Sequence, residues 1–371
     1  MSRILFINDL VIGGGTEKLL SLYAPFFSQK GERVYVAAKG TRKEAIEAFG
    51  PDVCFVSMGR RSGKYRPWSL RWFFDRFISY CLLLSFLVWS SVRKFDIAVA
   101  MKENQPMILA SRIRARRKIG WIQSDYRQYH TFDECYDSKE EELECFRKFD
   151  TIICVSDTAK SGVIQTVGDP ENLSVCYNPI DSKFIFQRSM EPIPINKPDN
   201  KILFVSVGRL DAIKQYPMLI NACAELEKSF DFELWIIGEG IQYQNIRLML
   251  SKVGVHSVKL LGFCENPYPY MRIADCFVSS SKSESFGLAI QESLSLGVPV
   301  IAARCPAIEE TLSKDYGIIT ENSVEGLVEA MGMVLRDKQI LVQYQERIRK
   351  HYPEEDQFKK RMEDVYNAIM Q

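Results

Sequence analysis

Two carboxylates and two cations in the second half of the chain have the types and spacing for chemistry on a phosphorylated ligand. The run Glu284-Ser285-Phe286-Gly287-Leu288-Ala289-Ile290-Gln291-Glu292 places seven residues between two acids, after the apolar Cys276-Phe277-Val278 and before a turn at Gly297 and Pro299. The apolar run reads as a buried strand, and Leu288 to Leu296 has helical length and propensity until Gly297 stops it. The polar loop Ser279 to Ser285 then delivers a helix N-terminus, whose free N–H groups near Phe286, Gly287 and Leu288 suit a phosphate. Glu284 would stand at the mouth and Glu292 about two turns along, so one ligand spans both. Upstream, Gly208-Arg209-Leu210 and Lys214 follow a strand-like run, at the carboxyl edge where doubly wound sheets bind ligands. Fixed cations there would stabilise negative charge on a bound ligand. On its own such an acid pair usually marks a solvated helix face.

The elements that must hold these residues repeat one architecture twice. With 371 residues the chain exceeds what one core supports, so two domains are expected. Strand patterns recur at Ile4 to Asn8, Val34 to Ala38, Asp96 to Ala100, Lys118 to Ile122, Thr151 to Val155 and Leu173 to Tyr177, with helical segments between. A second series runs through 201–207, Glu233 to Ile237, Val258 to Leu261, Cys276 to Ser279 and Val300 to Ala302. Alternation of this kind predicts an α/β protein of doubly wound parallel sheets. The expected division is a first domain over 1–180, a linker over 181–200 with the Pro-rich Pro192 to Asn200, a second domain over 201–352, and a terminal helix over 353–371. That helix sets Phe358, Met362, Val365, Tyr366 and Ile369 on one face and must pack on something. Ten scattered cysteines and three histidines (His130, His256, His351) argue against a disulfide framework or structural zinc and for a reducing cytosol. The opening Arg3-Ile4-Leu5-Phe6-Ile7 reads as a strand rather than a secretion leader.

The segment from Leu261-Gly262-Phe263 through Asn266-Pro267-Tyr268 and Ala274-Asp275 to Gly297-Val298-Pro299-Val300-Ile301-Ala302, with Glu284 and Glu292 inside it, resembles the family-4 retaining glycosyltransferases. The resemblance implies the GT-B fold, two Rossmann-like doubly wound parallel-sheet domains facing a central cleft. It implies a nucleotide-sugar donor, UDP-linked in the first instance, whose phosphates Arg209 and Lys214 hold. Glu292 corresponds to the family's ribose-binding acid and Glu284 to the acid on a hydroxyl of the transferred sugar. The backbone at Phe263 and Cys264 corresponds to the base site, and Gly238-Glu239-Gly240 to a turn beside the donor, a place that an ordinary turn would fill as well. No Asp-x-Asp pair occurs in the chain, so a metal-independent reaction without cofactor is expected, the cations and the helix N-terminus taking the metal's place. The family's course is front-side attack with retention, the departing phosphate helping to deprotonate the acceptor.

For the acceptor, Gly13-Gly14-Gly15-Thr16-Glu17-Lys18 follows the first strand and opens a helix. It is no dinucleotide fingerprint, and Ala37-Ala38-Lys39 stands where a ribose-binding acid would follow the second strand, which disfavours an oxidoreductase. In the resembled family this loop lies beside the transferred sugar and acceptor. Many relatives carry histidine where Gln123 stands, a departure that removes a protonatable group while keeping a hydrogen-bonding one. Lys102, Glu103 and Asp125 complete the acceptor-side set, with ordinary loop roles as the alternative.

Charge is uneven: net +1 overall, but 60–118 hold 14 Lys or Arg against 3 Asp or Glu. Within Arg60 to Lys94 the cations alternate with Trp68, Trp72, Phe73, Phe74, Phe77 and Trp89, and Arg112 to Lys118 adds a second cluster. A basic, aromatic-rich helix reads as an interfacial binder of anionic lipid, its apolar run Ile78 to Trp89 being too short to span a bilayer. A buried helix with solvated flanks is the plainer reading, and no recognisable nucleic-acid module is present. The expected protein is cytoplasmic, peripheral to the inner membrane face, and adds a sugar to a lipid-linked or polysaccharide acceptor. A catalytically silent nucleotide-sugar scaffold and a soluble enzyme making a small glycoside are the rivals.

Overall fold

The computed structural model describes residues 1–11, 14–59, 70–128, 135–352 and 355–371, apart from the side chains of 70–73, 355 and 356. Gly13, the cations Arg60, Arg61, Lys64 and Arg66, Trp68 and the side chains of Trp72 and Phe73 therefore lie outside the described residues. The chain forms two compact units. The first is Met1–Asn178 with Arg361–Gln371, and the second is Pro179–Lys360.

In the first unit β1 (Arg3–Leu10), β2 (Arg33–Lys39), β3 (Cys54–Gly59), β4 (Phe95–Ala100), β5 (Ala115–Ile122), β6 (Thr151–Cys154) and β7 (Leu173–Val175) make a 7-stranded sheet in the order β3-β2-β1-β4-β5-β6-β7. Neighbouring strands are all parallel. Consecutive apolar residues in β1, from Ile4 to Ile7, are all fully buried, which a strand covered by helices on both faces requires. The second unit repeats the plan with β8 (Ile202–Val207), β9 (Phe232–Ile237), β10 (Val258–Gly262), β11 (Cys276–Ser279), β12 (Val300–Ala303) and β13 (Gly317–Thr320), in the order β10-β9-β8-β11-β12-β13. Here the pleat sorts side chains between two cores: Ile202 and Phe204 join Leu219, Leu234 and Leu327 on one face, Leu203 and Val205 join Trp235, Ile290 and Ile308 on the other. The expected two Rossmann-like sheets are thus present, and each reverses direction once, between β1 and β4 and between β8 and β11.

Three sequence expectations need correction. The stretch 181–200 is no free linker, because its Asp181 side chain caps a helix, Ser182–Arg188, by accepting from the Phe184 N–H at 2.9 Å, and Ile185 enters a core of the second unit. Its Pro-rich tail masked a buried anchor. The edge strands β3 and β13 escaped the strand reading because they are only partly buried, so they lack the continuous apolar run of a central strand. The apolar run Ile78 to Trp89 belongs to a longer helix, Leu70–Val92, in which Phe74–Val92 is apolar and long enough by length and composition to cross a membrane. One side of that helix packs inward: Phe86 and Ser90 are buried, and Trp89 lies against Phe95 (5.6 Å between ring centroids) and Tyr35 (5.8 Å). The opposite side exposes Phe74, Phe77, Tyr80, Leu84, Val88 and Val92 by 43 to 77%.

The last helix, Glu355–Met370, contributes Arg361–Gln371 to the first unit. Met362, Val365 and Ile369 are buried, Tyr366 tilts against Phe27 at 5.0 Å, and its hydroxyl donates to Glu32 Oε1 at 3.1 Å. Arg361 Nη1 donates to the Asn178 carbonyl at 2.8 Å.

Candidate functional site

At the switch point of the second sheet the loops after β8 and β11 bring one of the expected cations and one of the expected acids into contact. Asp211 builds the first loop, its Oδ1 accepting from the N–H groups of Ile213 (3.1 Å) and Lys214 (3.2 Å). Gln215 then turns the chain with a left-handed φ of 48° into the helix Tyr216–Leu226. The second loop is tied to the first, since Ser280 Oγ donates to the Lys214 carbonyl at 2.7 Å and the Lys282 N–H to that of Ile213 at 2.7 Å. These ties place Lys214 Nζ 2.5 Å from Glu284 Oε1, which also accepts from Ser281 Oγ at 2.7 Å. Sequence reasoning named Lys214 and Glu284 separately; the structure joins them in an ion pair whose side chains are 21% and 13% exposed. Arg209 by contrast reaches outward, with a side chain 70% exposed and 3.5 Å from Asp211 Oδ2.

A small pocket opens beside the pair, lined by Ser206, Tyr216, Ser279, Ser281 and Gly287 as well as Lys214 and Glu284. Gly287 adopts φ 75° and ψ 49°, a left-handed entry that only glycine takes without strain, and starts the helix Leu288–Ser295 with no side-chain cap. Its first N–H groups follow the buried Phe286, at the place where the sequence led to the expectation of an anion site. Glu292 lies further along that helix, buried, and accepts from Tyr268 Oη at 3.0 Å. Burial pushes the Tyr216 hydroxyl well above its ordinary range despite its hydrogen bond with Ser206, so it stays protonated beside the pair.

Gly208 and Gly238 are neighbours across β8 and β9. A Cβ on Gly238, whose φ is 150°, would meet the Gly208 carbonyl oxygen at 1.9 Å, so the position admits no larger residue with this backbone. At the end of β10, Phe263 is 65% exposed and Cys264 is half-buried with its thiol on the Asn266 carbonyl at 3.2 Å. Among the described residues no three His, Cys, Asp or Glu side chains cluster as a metal ion would need.

In the first unit the acceptor-side candidates gather at the carboxyl edge of β1, β4 and β5. Glu103 is buried, and its two oxygens accept from the Gln123 N–H (2.9 Å) and Ser124 Oγ (2.6 Å). Gln123 Nε2 donates to the Met101 carbonyl at 3.2 Å. Asp125 is taken up structurally: Arg127 forks onto both its oxygens at 2.9 Å, and a Cβ on Gly162 would press on its Oδ1 at 2.7 Å. Gly14 and Lys18 are exposed at the start of the helix Gly15–Gln29. Sequence reasoning missed Asn8 and Asp9, Tyr268 and Ser281. The first two end β1 beside the strand reversal, a signal that becomes visible only once the strand order is known.

Residues 188–351 match the family model described as Glycosyl transferases group 1. The chain is 31% identical over 179 residues to a Campylobacter jejuni N-acetylgalactosamine-N,N'-diacetylbacillosaminyl-diphospho-undecaprenol 4-alpha-N-acetylgalactosaminyltransferase, covering 47% of each chain. It is 25% identical to a lipopolysaccharide core biosynthesis glycosyltransferase of Rhizobium meliloti over 55% of this chain and 59% of that one. The chain thus spans about half the length of the curated relatives it matches. A solved structure of Anabaena Alr3699/HepE in complex with UDP and glucose superposes with a TM-score of 0.74 at 17% identity, over 99% of both chains, which establishes a shared GT-B fold. Residues 188–351 are thus similar to the glycosyl transferases group 1.

Proposed function

We propose that the protein is a retaining, metal-independent glycosyltransferase that moves a hexosyl group from a UDP-sugar to a lipid-linked or polysaccharide acceptor at the cytoplasmic face of the membrane. The observation that carries this reading is the Lys214–Glu284 pair, at 2.5 Å, beside an uncapped helix N-terminus with Glu292 further along the same helix. Lys214, Arg209 and the N–H groups after Gly287 hold the donor diphosphate, Glu292 the ribose and Glu284 a hydroxyl of the transferred sugar. The acceptor oxygen bonds to the anomeric carbon on the face from which the carbon–phosphate oxygen bond breaks, and its proton passes to the departing diphosphate. The relatives, a transferase named for a diphospho-undecaprenol glycan and a lipopolysaccharide core biosynthesis glycosyltransferase, support the acceptor class. The UDP complex of the fold neighbour supports the donor.

A thermal-shift screen over nucleotide sugars tests the donor: a true donor at about 100 times its dissociation constant stabilises by roughly 2.7 kcal/mol. Transfer by the responsive donor is expected to continue in excess EDTA, since cations and N–H groups serve the diphosphate. Activity lost in EDTA and regained with magnesium or manganese would defeat the metal-free part of the proposal. A silent scaffold is the second reading, favoured by Gln123, which spends its amide N–H on Met101 and cannot take up a proton. Release of free sugar or transfer product from the donor rejects it.

The membrane part rests on the exposed apolar side of the helix Leu70–Val92 and on the exposed cations Arg93, Lys94, Arg112, Arg114 and Arg116 near the amino ends of β4 and β5, where Phe95 pairs with Ala115. Surface cations contribute about 1 kcal/mol each to binding an anionic bilayer, screened by salt. Changing Lys94, Arg112, Arg114 and Arg116 together to Glu is expected to lower sedimentation with anionic vesicles at least tenfold. Unchanged sedimentation, with the melting temperature preserved, removes the membrane from the proposal.

A further inference from the structure

Outside the groups assigned to the donor, one hydroxyl is tied to the helix that carries Glu292. Tyr352 follows the helix Gln339–His351 with an extended backbone, φ −71° and ψ 139°, and is the last described residue before the helix Glu355–Met370. Its N–H donates to the Ile348 carbonyl at 2.8 Å, and its ring stands edge-on to Tyr316 (5.7 Å between centroids), whose hydroxyl donates to the His351 carbonyl at 2.9 Å. The Tyr352 hydroxyl lies 3.0 Å from the Gln291 carbonyl and 3.1 Å from Gln291 Oε1, so its one proton serves both oxygens. Gln291 is buried, and its Nε2 donates to the Thr311 carbonyl at 3.1 Å. One residue thus joins the helix Leu288–Ser295, the helix Pro306–Thr311 and the end of the helix Gln339–His351.

We infer that Tyr352 and Gln291 are positioning residues for the nucleotide, which set the rotation of the helix Leu288–Ser295 so that Glu292 meets the ribose. The inference rests on the proposed ribose role of Glu292. Adjacent residues stand about 100° apart around a helix, so Gln291 reaches to Tyr352 on one side while Glu292 reaches to Tyr268 on another. The helix is short, 8 residues, and is entered through Gly287 without a side-chain cap. Ile290 and Leu294 seat it on the core, and Gln291 fixes its rotation there. Loss of the Tyr352 bond frees that rotation, and a charge-assisted bond to a ribose hydroxyl weakens as its acceptor moves out of line. By linkage the reverse holds as well: a nucleotide held by Glu292 steadies Tyr352 and the turn before it.

Calorimetry with UDP on the full chain tests this in four proteins: the parent, Tyr352→Phe, Glu292→Gln and the double variant. Tyr352→Phe keeps the ring against Tyr316 and is expected to weaken UDP about fivefold, the loss of one hydrogen bond. In the Glu292→Gln background the same substitution is expected to change nothing further, because a positioning residue acts only through the group it aims. An equal loss in both backgrounds marks a merely structural tyrosine and overturns the inference. Parent-like UDP binding by folded Tyr352→Phe, with Glu292→Gln weakened, overturns the inference alone and leaves the ribose assignment standing. Hydrogen exchange gives a second readout: UDP is expected to slow the amides of residues 348–352 in the parent and not in Tyr352→Phe, and no slowing in the parent overturns the inference too. If Tyr352→Phe does not fold, Gln291→Met, which removes the side-chain acceptor at similar volume, is read the same way. Parent-like UDP binding by Glu292→Gln overturns the ribose assignment and this inference with it, and failure of the parent to bind UDP overturns both together with the UDP donor.

Discussion

Lys214→Ala is expected to lower sugar transfer on the order of a hundredfold with the fold intact. A positioned cation that meets charge as it develops is worth about 3 kcal/mol in comparable sites. Lys214 is well placed for this, because Asp211 fixes its backbone and Ser280 holds its carbonyl, so little is lost in ordering it at the moment of reaction. Its ion pair sharpens the prediction. Removing Lys214 leaves Glu284 with Ser281 but without a cation in a pocket where its side chain is 13% exposed, so the carboxylate also stands closer to the incoming diphosphate without compensation. Lys214→Ala combined with Glu284→Gln is therefore expected to bind UDP better than Lys214→Ala alone while remaining as slow in transfer. Steady-state kinetics and calorimetry on the three proteins check both statements; a parent-like rate in Lys214→Ala ends the phosphate assignment.

Glu292→Gln is expected to weaken free UDP by about 10- to 100-fold, since a hydrogen bond to a charged group is worth roughly 1.5 to 3 kcal/mol and the ribose is common to UDP and its sugars. The substitution keeps the volume and an acceptor for the Tyr268 hydroxyl, so the buried contact at 3.0 Å survives. Glu284→Gln is expected to spare free UDP and to weaken only the sugar nucleotide. Calorimetry with the reverse pattern would exchange the two roles.

The central strands were legible because residues such as Ile4 to Ile7 are buried on both faces and leave a continuous apolar run. The edge strands β3 and β13 were not, because half-burial breaks that run. Of the proposed donor set, the types and local order of Arg209, Lys214, Glu284, Gly287 and Glu292 could be read directly, for the first four follow a strand or open a helix and Glu292 lies along the helix so opened. That Lys214 and Glu284 touch could not, because 70 residues separate them and only the strand order β8-β11 brings their loops together. Asn8 and Asp9 were hidden by the same arithmetic: at the end of an apolar strand they look like its polar terminus. Asp125 misled in the other direction, since its partner Arg127 lies two residues away and turns an acid in a loop into a structural brace.

The first unit is built from both ends of the chain, and this affects how it can be made. Met1–Asn178 leaves the ribosome first, yet the surface that Met362, Val365 and Ile369 cover waits until the final residues emerge. At about 5 to 20 residues per second, synthesis of Pro179–Lys360 alone occupies on the order of 10 to 40 s. For that interval Phe27 and its neighbours lack Tyr366, so the nascent unit presents an apolar strip to chaperones and to other nascent chains. A chain without Arg361–Gln371 keeps a complete second unit, while the first unit loses the cover over Phe27.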